Sequence, residues 1–281
     1  MRGYFYGWYL KCQSLTQTLA IIPSVHQTGK KRTCSIQFIT DNDVWEAKCP
    51  GETFYQSGKN MRIGKNRFGK NGVCLLVHTP TLNVSGNLDF CSLSPIKYDI
   101  MGPFSFVPLL ECRHSVISMR HFVCGDVRIN GQTFSFQNSL GYWEGDRGRS
   151  FPKRYFWTHC FFHSTSIMLS VADIPLAFWQ FNGIIGIILL NGKEYRLATY
   201  LGAKAVRVLG GVVQIVQGDM ELEVCLLEKA KKPLKAPVNG DMARSIHESA
   251  ACRARYRFRK AGRTVFDFET DKASVEYEYH H

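Results

Sequence analysis

The chain has 281 residues, 45% of them hydrophobic and 21% charged, and 35 Lys+Arg against 23 Asp+Glu give a formal charge of +12. That composition excludes a disordered, collagen-like or coiled-coil chain, and at this length a core forms without disulfide or metal. Ten cysteines lie along the chain with no C-x-x-C pair, the pattern of reduced thiols in a cytoplasmic protein.

The first apolar stretch is interrupted by Lys11, Gln13 and Gln17. It therefore lacks the continuous core of a secretory signal and reads as the opening strands of the fold. Asn130-Gly131 stands between two alternating runs, Asp126-Val127-Arg128-Ile129 and Gln132-Thr133-Phe134-Ser135-Phe136, which is a hairpin signature. Residues 144–150 are polar and glycine-containing, and place a domain boundary near 145, giving an N-terminal domain 1–145 and a C-terminal domain 146–281. The uncharged run from 174 to 192 has the length of a membrane span but contains Pro175, Gln180 and Asn182. Asn182-Gly183 and Asn191-Gly192 are expected to cut it into strands.

Leu209-Gly210-Gly211-Val212 lacks the lysine of a phosphate-binding loop. Alternation resumes in residues 220–224, 253–259 and 265–269, while residues 228–241 read as a surface loop. One helix is expected, over residues 241–250 with Asp241 as its N-cap. Many short strands with regular turn signals make the fold all-β, a sandwich or barrel.

Acidic and imidazole groups crowd between residues 98 and 173: Asp99, Glu111, His114, His121, Glu144, Asp146, His159, His163 and Asp173. Their neighbours are aromatic or apolar, and burial raises the pKa of a carboxyl group until it serves as a general acid. Ion pairing of the same carboxylates with Arg113, Arg147 or Arg149 is the alternative. His159 and His163 have a metal-ligand spacing only on a helix, since four residues of strand span about 13 Å. No metal site is expected. Arg253, Arg255, Arg257 and Arg259 alternate with Ala254, Tyr256 and Phe258, so a strand would present four guanidinium groups on one face. Anionic lipid headgroups are a candidate partner for that face, and a solvated face balanced by nearby carboxylates is the alternative. No nucleic-acid-binding motif is present.

Five motifs taken in order carry a resemblance: Tyr4-Phe5-Tyr6-Gly7-Trp8-Tyr9, Tyr98-Asp99-Ile100-Met101-Gly102-Pro103-Phe104, Glu111-Cys112-Arg113-His114, Gly141-Tyr142-Trp143-Glu144 with Ser150-Phe151-Pro152, and Ser170-Val171-Ala172-Asp173-Ile174-Pro175. Together the chain resembles the tocopherol cyclase family. The resemblance implies two lipocalin-like β halves with few short helices and an apolar pocket in or between them. It also implies a reaction that needs no cofactor and no metal, in which a prenyl double bond is protonated and the cation is captured by a phenolic hydroxyl. Under it, the acid is Glu144 or Asp146, with Glu111 and His114 as the alternative or as a proton relay. Trp8, Tyr142, Trp143 and Trp157 supply the aromatic lining, and His159 and Asp173 complete the substrate contacts. The chain departs from the family pattern at Tyr6, Arg147 and His159, and a pocket lined by Arg147 and His159 suits a more polar or anionic ligand. Three functions follow for test: an acid-catalysed cyclase acting on an apolar isoprenoid-like substrate, a lipocalin-like carrier of an apolar small molecule, and an interaction protein with filled barrels.

Overall fold

A computed structural model describes residues 3–107, 110–176, 179–228 and 232–279. The chain is nearly all strand. The first sheet takes β1 (Tyr4–Gln13), β2 (Thr18–Thr28), β3 (Lys31–Thr40), β4 (Val44–Pro50), β5 (Phe54–Ser57), β6 (Asn60–Ile63), β7 (Asn66–Gly69), β8 (Gly72–His78), β9 (Asn83–Cys91), β10 (Cys112–Ile129) and β11 (Gln132–Gly148). The second takes β12 (Tyr155–Phe162), β13 (Thr165–Leu176), β14 (Trp179–Leu190), β15 (Lys193–Ala198), β16 (Lys204–Leu209), β17 (Val212–Gln217), β18 (Met220–Leu226), β19 (Lys232–Val238), β20 (Asp241–Lys260) and β21 (Arg263–Tyr277).

The two sheets repeat one topology. The first runs β4-β3-β2-β1-β11-β10-β9-β8-β7-β6-β5 and the second β15-β14-β13-β12-β21-β20-β18-β17-β16, with β19 paired to β20. In each, a four-stranded meander is joined through its first strand to the last strand of the half, and among the described residues the order of strands does not close into a barrel. This is the expected pair of lipocalin-like all-β halves. The chain forms two compact units, one of residues 1–96, 110–151 and 235–244, the other of residues 97–109, 152–234 and 245–281. β11 continues through Gly148, so the polar segment read as a boundary is mostly strand.

Three expectations are corrected. Residues 241–250 are strand rather than helix: pairing of β20 with β19 and β21 overrides a weak helical pattern, and Ile246, Glu248 and Ala250 are buried at alternate positions. Residues 228–241 include β19 instead of forming only a loop. Asn182-Gly183 lies inside β14, opposite Asp173 and Ala172, and makes no turn. Its glycine serves close packing, because a Cβ there would stand 2.8 Å from Ile174 Cγ1. Asn130-Gly131 and Asn191-Gly192 do turn their hairpins, with φ positive at both residues of each pair.

Successive side chains alternate between faces of a strand, and directly opposed residues share a face. One face of the first sheet carries Trp8, Leu10, Cys12, Ile21, Ile36, Phe38 and Trp143, the apolar core of that unit. The opposite face is also buried but polar: Lys11, Ser24, His26, Ser35, Gln37, Tyr142 and Glu144 all lie on it. The second sheet repeats the division. Phe156, Cys160, Leu169 and Tyr256 belong to its core, whereas Trp157, His159 and Glu276 occupy the other face.

The arginine strand is neutralised on its own sheet. Arg253 pairs with Glu269 at 2.8 Å, Arg255 with Asp267 at 2.7 Å, Arg257 with Glu223 at 2.9 Å and Arg259 with Glu221 at 3.7 Å. A double-mutant cycle on Arg257 and Glu223 is expected to return a coupling below about 1 kcal/mol, as for other part-exposed pairs. A coupling of several kcal/mol in denaturant unfolding would show that this ladder holds the sheet together.

Candidate active site

The polar face of the first sheet carries one dense ionisable cluster. Tyr142, Glu144 and Asp146 follow one another on the same face of β11, and the register sets Asp146 directly opposite His114 of β10. The imidazole lies between the two carboxylates, with Nδ1 2.9 Å from Asp146 Oδ1 and Nε2 3.0 Å from Glu144 Oε2. Tyr142 donates its hydroxyl to Glu144. Glu144 is only 4% exposed, whereas the Asp146 side chain retains 24% exposure.

Each group answers to its surroundings. For His114, burial works against the charged form, but the neighbouring Glu144 and Asp146 outweigh it and hold the pKa well above 6.5. Burial raises the Glu144 carboxyl above its ordinary value, although His114 and the Tyr142 hydroxyl pull the other way. Tyr142 is pushed well up by burial and then by Glu144, and stays neutral. Nδ1 hydrogen-bonds Asp146 and Nε2 stands at ion-pair distance from Glu144, so the two carboxylates together favour the imidazolium. The donor atoms of the three residues lie within 4.8 Å of one another, close enough to surround a small cation.

The structure thus brings together Glu144, Asp146, His114 and Tyr142. It does not bring Glu111 to them: its side chain is exposed, and its carbonyl accepts the amides of Arg149 and Ser150 at 2.7 and 3.3 Å. Trp8 and Trp143 are packed edge to face, centroids 4.9 Å apart, on the apolar face of the sheet, behind the acid cluster. A Cβ at Gly145 would lie 2.7 Å from the Trp8 indole, so the glycine after Glu144 makes room for that ring. Trp157, His159 and Asp173 belong to the second unit. There His159 Nε2 meets Ser166 Oγ at 3.1 Å, and Asp173 accepts hydrogen bonds from Asn182 and Tyr279 at 2.8 and 3.1 Å. Arg147 is exposed.

The motif at residues 98–104 is structural. The Arg196 guanidinium stacks on Tyr98 at 3.7 Å and donates to the carbonyls of Tyr98 and Asp99 at 2.9 and 3.1 Å. Tyr200 donates to the Ile100 carbonyl at 3.1 Å, and its ring leaves no room for a side chain at Gly102, where a Cβ would stand 2.5 Å away. A shallow depression of about 390 Å³ on β5 to β7, lined by Tyr55, Met61, Arg62 and Phe68 among others, includes none of the expected site residues.

Reading the sequence alone missed Ser24 and His26 of β2. Ser24 Oγ lies 2.8 Å from His26 Nε2 and 3.2 Å from Ser35 Oγ, all three buried on the polar face. The available signal was a polar pair at period two in an otherwise apolar strand. Burial lowers the His26 and His121 pKa values to about 4 each. Their unfolded forms bind more protons between about pH 4 and 6.5, so these two groups make stability rise with pH across that window. His114 has the opposite sign, its contribution being complete below 6.5 and lost as pH climbs through its raised folded value. Thermal unfolding is therefore expected to show a rising limb that flattens in His121→Gln and a falling limb above 6.5 that flattens in His114→Gln. Unchanged limbs would contradict the assigned charge states.

Residues 84–205 match the sequence profile of the family described as tocopherol cyclase-like. No curated protein sequence matches the chain significantly. Among solved structures, CghA with Sch210972 has a TM-score of 0.61 at 9% identity, covering 98% of this chain and 88% of that one. Kievitone hydratase from Nectria haematococca has a TM-score of 0.55 at 8% identity, covering 98% and 89%. A protein described as AttH from Nitrosomonas europaea has a TM-score of 0.56 at 8% identity, covering 100% and 93%. These likenesses are of fold, while the profile match spans His114, Glu144 and Asp146. The matched residues 84–205 hold the whole acid cluster, and over that segment the chain is similar to the tocopherol cyclase-like family.

Proposed function

We propose that the protein is a cofactor-independent acid catalyst of the cyclase or hydratase kind, protonating an alkene in an apolar, isoprenoid-like substrate. The observation that carries this reading is the His114 imidazole held between buried Glu144 and part-exposed Asp146. Proton flow has a direction there. Asp146 reaches solvent and recharges His114 at Nδ1, and His114 releases a proton from Nε2 to Glu144. Glu144, its acid form favoured by burial, donates to the alkene, and Tyr142 holds the carboxyl in place. The cation is then captured by a phenolic hydroxyl in the same substrate, closing a ring, or by water. Similarity to a protein named kievitone hydratase supports keeping the second capture mode in view.

The test is anaerobic incubation with prenylated hydroquinones in heavy water, followed by mass spectrometry. Protonation of the alkene leaves one deuterium on carbon in the ring-closed or hydrated product. Binding of the same compounds without carbon-bound deuterium in any of them would identify a carrier instead.

A further inference from the structure

The register of the first sheet aligns a row of polar residues across five strands. Ser35 of β3 faces Ser24 of β2, Ser24 faces Gly7 of β1, Gly7 faces Asp146 of β11, and Asp146 faces His114 of β10. Gly7 contributes no side chain to the middle of that row. On one side of it stands the proton-donating cluster, on the other the hydroxyl and imidazole groups of Ser24, Ser35 and His26. Two strand spacings, about 10 Å, separate the Ser24 and Asp146 backbones.

The second cluster is built to accept. Ser35 donates to Ser24, and Ser24 to His26 Nε2, if the three form one directed chain. Among the described residues His26 Nδ1 has no hydrogen-bond partner, although the side chain is only 5% exposed. A buried imidazole with an unmatched nitrogen is costly unless something else uses it. Burial also keeps the ring neutral near pH 7, with its pKa lowered to about 4 against a weaker opposing pull from Asp241. A neutral imidazole joined to a serine hydroxyl is equipped to take a proton.

We infer that Ser24 and His26 form the hydroxyl-recognising pole of the catalytic face, binding a phenol of the substrate and receiving the proton that ring closure releases. The inference rests on the acid-catalysis reading for its chemistry. The proton and electron count closes: Glu144 gives one proton to the alkene, and the phenolic oxygen forms the new carbon–oxygen bond. Its own proton passes to Ser24 Oγ as the serine proton moves to His26 Nε2. Loss of that proton from His26 to solvent and uptake of one by Asp146 restore the starting state.

Binding is tested by calorimetry on the full chain with 2-methylhydroquinone and its dimethyl ether. The wild type is expected to prefer the hydroquinone, and Ser24→Ala and His26→Gln are each expected to reduce that preference tenfold or more, with the ether's affinity changing less than twofold. Turnover in heavy water adds a readout that a structural role would not move. In His26→Gln, deuterium still enters the carbon skeleton of recovered open-chain substrate, while the ring-closed product falls about 100-fold. A parallel fall of both signals, a wild type that binds the two probes equally, or variants that keep the wild-type preference would overturn the inference. No carbon-bound deuterium in the wild type would defeat the acid-catalysis reading, and the binding preference would then decide the hydroxyl pole by itself.

Discussion

His114→Leu is expected to cost about 3–5 kcal/mol of folding stability at pH 7, the range for removing one partner from a buried ion pair. The side chain is close in size, so the loss measures charge rather than volume. Without the imidazolium, Glu144 and Asp146 face each other on neighbouring positions of β11, with Glu144 only 4% exposed. The destabilisation is expected to shrink as pH falls toward 4.5, because Glu144, already inclined to hold a proton, then takes one and the repulsion ends. Denaturant unfolding at pH 7 and at pH 4.5 checks both statements. A loss under about 1 kcal/mol at both values would mean that water screens the carboxylates and that the cluster is not the dry acid the reaction needs.

How much of this could be read from the sequence differs by element. Strand pattern was plain wherever polar and apolar residues alternate, as in residues 132–136 and 253–259, and the structure has β11 and β20 there. It was misleading in residues 241–250, where pairing with β21 decides the conformation and the local residues do not. Gly183 shows the same limit, since an Asn-Gly dipeptide in a strand looks like a turn until the Ile174 side chain above it is known. Within the site, Glu144, Asp146 and Tyr142 were legible because they share one strand at period two. His114 was legible as a candidate, but its place between two carboxylates depends on the β10 to β11 register, which has three irregularities. Trp8 and Trp143 illustrate what period two does to a list of neighbours. Trp143 adjoins Glu144 in the chain and for that reason points to the other face, into the core.

The duplicated topology sharpens the assignment of the acid. The second sheet also sets a tyrosine on a buried glutamate, Tyr155 on Glu276, and its first and last strands pair as β1 and β11 do. The register there places Glu248, another carboxylate, opposite Glu276. Glu144 has an imidazole at bonding distance and a part-exposed carboxylate beyond it, which gives it a route for recharging.

Glu144→Gln should therefore remove at least 100-fold, and up to about 10,000-fold, of the rate at which deuterium enters carbon, the range for losing a positioned general acid. The amide fills the same space, its oxygen can still accept from Tyr142, and Asp146 remains to pair with His114, so thermal unfolding should change less than in His114→Leu. Asp146→Asn gives the contrast. Its amide oxygen still accepts from His114 Nδ1, but the recharging carboxylate is gone, and a loss nearer tenfold is expected, with the step from solvent to His114 becoming limiting. Measured side by side in heavy water, the two variants order the relay. A larger loss in Asp146→Asn would make the part-exposed carboxylate the donor and reverse the direction of proton flow. Equal and complete loss in both would show that the cluster titrates as one acid, its proton shared by three residues.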